Sequence, residues 1–203
     1  DAMSFSRLYK RGEKITLKIK MDAKTGGDSW SRNVVAEVKG SKYPDEIIVI
    51  GGHIDSWDVG QGAHDDGGAC IAAWEVLRMV KLLDLKPKRT IRCVLWTNEE
   101  NGLKGAIAYR DMHLDELENH IVAIESDGGV FAPDGFGFSG SDEGFQIIED
   151  IHKLLKPLKA QNATKGGRAA DVATLNDQGV PVMSLKVDNS KYFWYHHTAA
   201  DTF

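Results

Sequence analysis

No apolar run in the 203-residue sequence approaches the roughly 20 residues that a membrane-spanning helix needs, so we expect no membrane span. The chain also lacks a basic excess, since 25 lysines and arginines stand against 30 aspartates and glutamates. This mildly acidic balance argues against a nucleic-acid partner, which favours a basic face. No secretory leader is visible, but we expect an excerpt of a longer protein, so that absence excludes nothing.

Cysteine is scarce, with Cys70 in an expected helix start and Cys93 in an expected buried strand. Two separate buried thiols are favoured over a disulfide between them. Asn162-Ala-Thr164 matches the N-glycosylation sequon, which has meaning only if the chain enters the secretory pathway.

Apolar strand-like runs alternate with helical patterns along most of the chain. The runs 46–50, 90–97 and 121–125 predict buried strands, and the pattern over 65–83 predicts a helix. Residues 14–20 alternate between polar and apolar, which is typical of a half-exposed strand. Together they predict an α/β three-layer sandwich, with a mostly parallel mixed sheet and helices on both faces.

Candidate metal ligands follow several of the predicted strands, where α/β sheets bind their ligands. Glu99 and Glu100 stand side by side after the run 90–97. Because neighbouring strand residues point to opposite faces, one carboxylate could hold a metal while the other moves a proton. Further side chains of metal-binding type lie near the ends of other runs: His53, Asp55, Asp65, Asp66, Asp127, His196 and His197.

Each candidate also has a structural interpretation. His53 could be a hydrogen-bonded turn histidine, Asp127 could be a turn residue before two glycines, and Asp65 and Asp66 could cap a helix. For Asp66, a role as a helix cap alone remains an alternative to a role in the metal site. The arrival of such residues from several strand ends favours one shared site.

The chemistry of these residues suits a pair of divalent metals. Mixed histidine and carboxylate ligands favour zinc. Two ions about 3.5–4 Å apart need a shared ligand, and an aspartate with two free oxygens supplies one. A bridging hydroxide would then be the nucleophile, and a nearby uncoordinated carboxylate would carry its proton to the leaving amine.

Several motifs resemble those of the co-catalytic zinc exopeptidases, which include bacterial leucyl aminopeptidases and transferrin-receptor-like carboxypeptidases. The resemblance spans residues 46–203 and implies a zinc-dependent exopeptidase that hydrolyses dipeptides or short peptides with a free N-terminus. Its motifs, in order, are Gly52-His-Ile-Asp55, Gly62-Ala-His-Asp65-Asp66-Gly67, Trp96-Thr-Asn-Glu99-Glu100, Glu125-Ser-Asp127 and His197-Thr-Ala-Ala-Asp201.

The resemblance also implies a role for each matching residue. Two zinc ions per chain are expected, one held by His53 and Asp127 and the other by Glu100 and His197. Asp65 is expected to bridge them. The remaining roles are Glu99 as general base, Asp55 as the partner of the outer nitrogen of His53, and Asp201 as the residue that orients His197.

Three further residues are candidates for contact with the substrate. His196 stands where several bacterial relatives carry a tyrosine, so we expect its imidazole to stabilise the oxyanion. Asp171 either holds a free α-amino group or caps the helix that it starts. Tyr192 either lines the substrate pocket with its aromatic neighbours or belongs to the core.

The resemblance extends to domain organisation and location. Residues 1–20 are expected to end a preceding non-catalytic segment, and residues 21–203 to form a catalytic domain with a truncated C-terminal end. The segments 51–63, 86–90 and 191–197 closely resemble one dipeptidase of the family, which implies a secreted or lysosomal glycoprotein that forms a homodimer.

Two alternative functions share this scaffold. A glutaminyl-cyclase-like acyl transferase would bind a single zinc ion, so a metal count discriminates it. A receptor-like binding protein would have lost the metal ligands, whereas all of the expected ligands are present in this chain.

Overall fold

The computed structural model describes residues 2–24 and 26–203. The chain divides into two units, Asp1–Trp30 and Ser31–Phe203. In the first unit, α1 (Ala2–Lys10) is followed by irregular backbone. The strand predicted over residues 14–20 was wrong, because an isolated strand is unstable without a paired neighbour and no strand pairs with this segment in the described chain.

The second unit is built on one mixed sheet. Its strands are β1 (Val34–Val38), β2 (Tyr43–His53), β3 (Arg89–Trp96), β4 (His120–Glu125), β5 (Pro133–Ser139), β6 (Asn162–Lys165) and β7 (Val182–Val187). Their order across the sheet is β1-β3-β2-β4-β7-β5-β6. The pairs β2–β3, β2–β4, β4–β7 and β5–β6 are parallel, and β1–β3 and β5–β7 are antiparallel. The predicted mostly parallel mixed sheet is therefore confirmed.

Helices cover both faces of this sheet: α2 (Gly68–Leu82), α3 (Lys104–Met112), α4 (Asp142–His152) and α5 (Ala170–Asn176). Val49 and Ile50 are neighbours in β2 and so point to opposite faces. Val49 belongs to a core with Ala106 of α3 and Leu175 of α5. Ile50 packs against a separate core that contains Leu77 of α2. The predicted three-layer arrangement is confirmed.

Strands β5 and β6 were not predicted from the sequence. Gly135 and Gly137 lie within β5, and glycine weakens strand propensity. β5 forms because β7 and β6 pair with it on either side. In the antiparallel pairing with β7, Phe136 lies opposite Leu185 and Phe138 opposite Met183. Long-range pairing therefore decided these strands.

Cys70 and Cys93 are both buried and free, as expected. Among the helices in the described ranges, none combines the length and apolar character needed to cross a membrane.

Candidate metal centre

The candidate ligands meet where the central parallel strands end. His53 is the last residue of β2, Glu99 and Glu100 follow β3, and Asp127 follows β4. β2 pairs in parallel with both β3 and β4, and His53 lies opposite Trp96. The carboxyl ends of the three strands therefore lie at one edge of the sheet, which brings residues distant in sequence to one place.

Asp65 lies in the turn Ala63–Gly67, which joins the loop after β2 to α2. Its carboxylate is buried and faces two ways. Oδ1 lies 3.2 Å from Nε2 of His53, and Oδ2 lies 3.5 Å from Nε2 of His197. A single carboxylate thus lies between two histidines, which is the geometry that a bridging ligand requires.

Another carboxylate accompanies each histidine. Nε2 of His53 lies 3.5 Å from Oδ1 of Asp127, and Nε2 of His197 lies 2.7 Å from Oε2 of Glu100. The structure therefore brings together all of the predicted ligands, in the pairs that the resemblance implies, on opposite sides of Asp65. Their role as ligands stays a prediction.

The donor set fits divalent cations. Nδ1 of His53 lies 2.9 Å from the backbone carbonyl oxygen of Asp55. That oxygen can only accept, so Nδ1 carries a proton and Nε2 is left facing the carboxylates. Burial opposes a charge on this imidazole, but Asp127 and Asp65 raise the pKa of His53. The surrounding carboxylates thus favour positive charge at this point.

Buried carboxylate oxygens without hydrogen-bond partners are a second indication of a cation site. Oδ2 of Asp65 and Oε1 of Glu100 are inaccessible to water and accept no hydrogen bond in the described chain. Burial, together with the charge of Asp65, raises the pKa of Glu100. A buried carboxylate oxygen is costly unless a donor or a cation satisfies it. Zinc ligation would satisfy both oxygens.

The side chain of Asp55 has a different partner from the one expected. Its carboxylate accepts hydrogen bonds from the backbone N–H groups of Glu99 at 3.0 Å and Glu100 at 3.3 Å. Its Oδ1 lies 3.9 Å from Nδ1 of His53, and the carbonyl oxygen makes the closer contact. Asp55 therefore orients His53 through its backbone and the two glutamates through its side chain.

Asp201 also contacts a different residue from the one expected. Its carboxylate, only 3% exposed, accepts hydrogen bonds from the backbone N–H groups of His64 at 2.7 Å and Asp65 at 3.2 Å. His197 is instead positioned by Trp57, whose ring stacks on it with centroids 4.2 Å apart and an interplanar angle of 10°. The sequence carried no signal for this aromatic contact between distant residues.

Glu99 lies close to the ligands without belonging to either pair. Its Oε2 is 3.8 Å from Nε2 of His53. Burial, reinforced by the charges of Asp127 and Glu100, raises the pKa of Glu99 to about 7. This carboxylate can therefore take up and release a proton near neutral pH.

His196 lies beside two of the predicted metal ligands. Its Nε2 is 3.5 Å from Oδ2 of Asp65, and its ring stacks on His197 at 3.7 Å. His196, His197 and Asp65 thus form another group with metal-binding geometry. Tyr192 is 9% exposed and packs against the ring of His196 at 4.8 Å. Whether Tyr192 lines the substrate pocket or belongs to the core stays a prediction.

Asp171 is fully buried, close to the candidate centre. Burial raises the pKa of Asp171 to about 8, and burial with the charge of Asp171 raises the pKa of Glu125 well above its usual range. Glu125 accepts a hydrogen bond from the backbone N–H of Val172 at 3.0 Å. Glu125 and Asp171 thus form a buried pair of acids. The two roles considered for Asp171, holding an α-amino group or capping its helix, stay predictions.

Asp66 has more contacts than a helix cap would need. Its Oδ2 accepts a hydrogen bond from the backbone N–H of His53 at 3.1 Å, and it forms a possible metal-binding group with His53 and Asp127. A Cβ at Gly52 would lie 2.3 Å from the same oxygen, so glycine is needed there for the close approach. In the sequence, only its place beside Asp65 pointed to this role.

The model of peptidase family M28 matches residues 33–203. The chain belongs to peptidase family M28. Among curated M28 relatives, carboxypeptidase Q of Rattus norvegicus and that of Homo sapiens are each 46% identical over 202 residues. These matches cover 100% of this chain but 43% of each relative. The chain therefore spans less than half the length of the curated relatives that it matches.

Solved structures support the same assignment. A peptidase M28 precursor from Shewanella amazonensis SB2B superposes with a TM-score of 0.77 at 43% identity, over 84% of this chain and 39% of that one. A zinc aminopeptidase from Bacillus subtilis has a TM-score of 0.66 at 20% identity, over 83% and 44%. A glutaminyl cyclase from an Acidobacteriales bacterium has a TM-score of 0.61 at 20% identity, over 84% and 65%. The last two show the shared fold alone.

Proposed function

We propose that this M28 chain carries the catalytic centre of a zinc-dependent exopeptidase that hydrolyses dipeptides or short peptides with a free N-terminus. The observation that carries the proposal is the carboxylate of Asp65, whose two oxygens face two different histidines. Each histidine also lies within 3.5 Å of a further carboxylate, that of Asp127 or Glu100. This arrangement suits two ions that share one ligand.

The residues present define where each ion would bind. His53 and Asp127 would hold one zinc ion, Glu100 and His197 the other, and Asp65 both. When bound, the ions would polarise the peptide carbonyl and lower the pKa of a water molecule. The chain supports this donor set through the contacts that orient it: the Asp55 carbonyl on His53, and Trp57 on His197.

Glu99 would carry the proton during hydrolysis. Its carboxylate would accept a proton from the attacking water and donate it to the leaving amine. Its raised pKa, about 7 in the metal-free chain, suits both steps. Asp55 holds the backbone N–H of Glu99 at 3.0 Å and so limits the positions that this carboxylate can reach. His196 would donate a hydrogen bond to the developing oxyanion.

The curated relatives support this chemistry by name, since they are called carboxypeptidase Q. The segments 51–63, 86–90 and 191–197 are those that resemble carboxypeptidase Q most clearly. A peptide substrate, a secreted or lysosomal location and a homodimer are parts of the proposal that rest on this likeness.

The proposal is tested by counting zinc in the purified chain by mass spectrometry and by measuring hydrolysis of Ala-Ala and N-acetyl-Ala-Ala. We expect two zinc ions per chain, cleavage of the unblocked dipeptide alone, and loss of cleavage after chelation. A single zinc ion with no peptide cleavage would favour the cyclase-like alternative. Two bound ions without cleavage of any dipeptide would favour a binding protein.

A further inference from the structure

A cavity of about 350 Å³ opens beside the candidate metal centre. Asp127, the predicted ligand, forms one wall with Gly128. Arg168 and Lys186 also line the cavity, together with the polar side chain of Asn189. Two cationic side chains in one cavity stand out, because the adjoining centre consists of carboxylates and histidines.

Arg168 is anchored in a way that leaves donors free. Its Nη2 donates to Oδ1 of Asp177 at 2.6 Å and to the backbone carbonyl of Ala173 at 3.3 Å. Within the described ranges, its Nε and Nη1 groups make no hydrogen bond. A guanidinium carries five N–H donors, so several remain for an anionic ligand. Asp177 therefore positions this guanidinium without exhausting its donors.

Lys186 has no charged partner. Its Nζ lies 3.3 Å from the neutral hydroxyl of Thr164. No carboxylate in residues 2–24 and 26–203 lies within 4.0 Å of this ammonium. Other exposed lysines of this chain do have such partners: Lys153 pairs with Asp150 at 2.7 Å. The charge of Lys186 is thus available to a ligand in the cavity.

We propose that this cavity binds a carboxylate group of the substrate, and that Arg168 and Lys186 are its specificity-determining residues. The inference rests on the proposed function, because it requires a peptide substrate that extends from the metal centre past Asp127 into this cavity. Arginine and lysine are the side chains that bind carboxylates by charge-assisted hydrogen bonds. In a dipeptide this carboxylate is either the free C-terminus or an acidic side chain of the second residue.

Three substrates separate these two sources in the zinc-loaded chain: Ala-Ala, Ala-Ala-amide and Ala-Glu-amide. We expect KM for Ala-Ala to be about tenfold lower than for Ala-Ala-amide, since a charge-assisted hydrogen bond is lost with the carboxylate. A low KM for Ala-Glu-amide shows that a side-chain carboxylate also fits, and a high one restricts the site to the C-terminus. Equal KM values for all of them would overturn the inference.

Single substitutions show which residues cause the preference for Ala-Ala over Ala-Ala-amide. Lys186→Gln should remove most of the preference for Ala-Ala over Ala-Ala-amide, and Lys186→Arg should restore that preference. Arg168→Gln should act in the same direction. Lys153→Gln is the matched control, because this exposed lysine lies outside the cavity and pairs with Asp150. A preference that survives both glutamine substitutions would contradict the assignment.

A binding measurement separates this inference from the proposed function. In the zinc-loaded Glu99→Gln variant, NMR titration gives the Kd of Ala-Ala and of Ala-Ala-amide without turnover. We expect the Kd of Ala-Ala-amide to be about ten times that of Ala-Ala, and this ratio to fall towards one when Lys186→Gln is added. That result supports the carboxylate site even if the chain hydrolyses no peptide. A ratio of one in the parent variant overturns the carboxylate site even if peptide hydrolysis is established.

Discussion

Asp201 accepts a hydrogen bond at 3.2 Å from the backbone N–H of Asp65, a residue 136 positions earlier in the chain. Its other oxygen accepts from the neighbouring N–H of His64 at 2.7 Å. Since Asp65 lies between both predicted ligand pairs, Asp201 holds the residue on which the whole centre depends.

Asp201→Asn should weaken zinc binding at both sites. The amide has one acceptor oxygen in place of two, so one backbone N–H loses its partner and Asp65 is less firmly held. Residues that orient metal ligands typically contribute about 10–100-fold in affinity, and we expect a loss in that range by competition with a chromophoric chelator. Asp150→Asn, at an exposed position paired with Lys153, is the control. Unchanged affinity in Asp201→Asn would refute this role.

Substitutions at Glu99 and Glu100 should separate catalysis from metal binding. Glu99→Gln removes the proton carrier, so kcat should fall by about 10²–10⁴-fold while two zinc ions remain bound. Glu100→Gln removes a predicted ligand, so zinc content should fall towards one. The pair provides its own control because the two changes are isosteric and adjacent. Zinc loss in Glu99→Gln would mean that this carboxylate is a ligand instead.

Substitutions at the stacked histidines His196 and His197 should also separate catalysis from metal binding. His196→Ala should lower kcat with zinc content near two per chain, because His196 is expected to act on the oxyanion. His197→Ala should lose one zinc ion, because Nε2 of His197 faces both Asp65 and Glu100. The position of His196, 3.5 Å from Asp65, makes the zinc measurement decisive. Metal loss in His196→Ala would refute the oxyanion role.

A series of buried hydrogen bonds at the N-terminal end of β4 should make the stability of the protein depend on pH. Nδ1 of His120 lies 3.0 Å from the backbone carbonyl of Glu116, so Nε2 accepts from the hydroxyl of Tyr109 at 2.9 Å. That hydroxyl in turn accepts from Nη1 of Arg92 at 2.9 Å. Burial lowers the pKa of His120, and the nearby cation Arg92 and the ring of His113 act in the same direction.

The folded chain therefore resists protonation of His120 at a pH where the unfolded chain accepts it. As the pH falls below 6.5, the value of an unperturbed histidine, the free energy of unfolding should decrease down to the lowered folded pKa. In His120→Gln this part of the decrease should disappear when urea unfolding is compared above and below pH 6.5. An unchanged slope in that variant would contradict the prediction.

Tyr109→Phe tests the same series of hydrogen bonds at neutral pH. It leaves a buried acceptor on His120 and a donor on Arg92 without their partner, so we expect a loss of about 1–3 kcal/mol in the free energy of unfolding. Tyr43→Phe, at an exposed position, is the control and should be near neutral. A change below the experimental error in Tyr109→Phe would contradict the expected contribution.

Much of the fold and of the ligand set could be predicted because each depends on local patterns. The strand that ends at His53 is an apolar β-branched run, and the alternation of such runs with helices implies parallel strands whose ends converge. Residues 14–20 have the alternation of a strand without a partner, and β5 has a partner without a strong strand pattern. Periodicity reports which faces a segment offers and does not report what pairs with it.

The sequence by itself determined the α/β layering and the ligand types available at the strand ends. Only the tertiary structure decided that the carboxylate of Asp55 contacts the glutamates and that Asp171 is buried. The same holds for Asp201, which contacts Asp65 across the fold. The physical reason is that a side chain's partner depends on how elements distant in the chain pack together, whereas its chemical type is local.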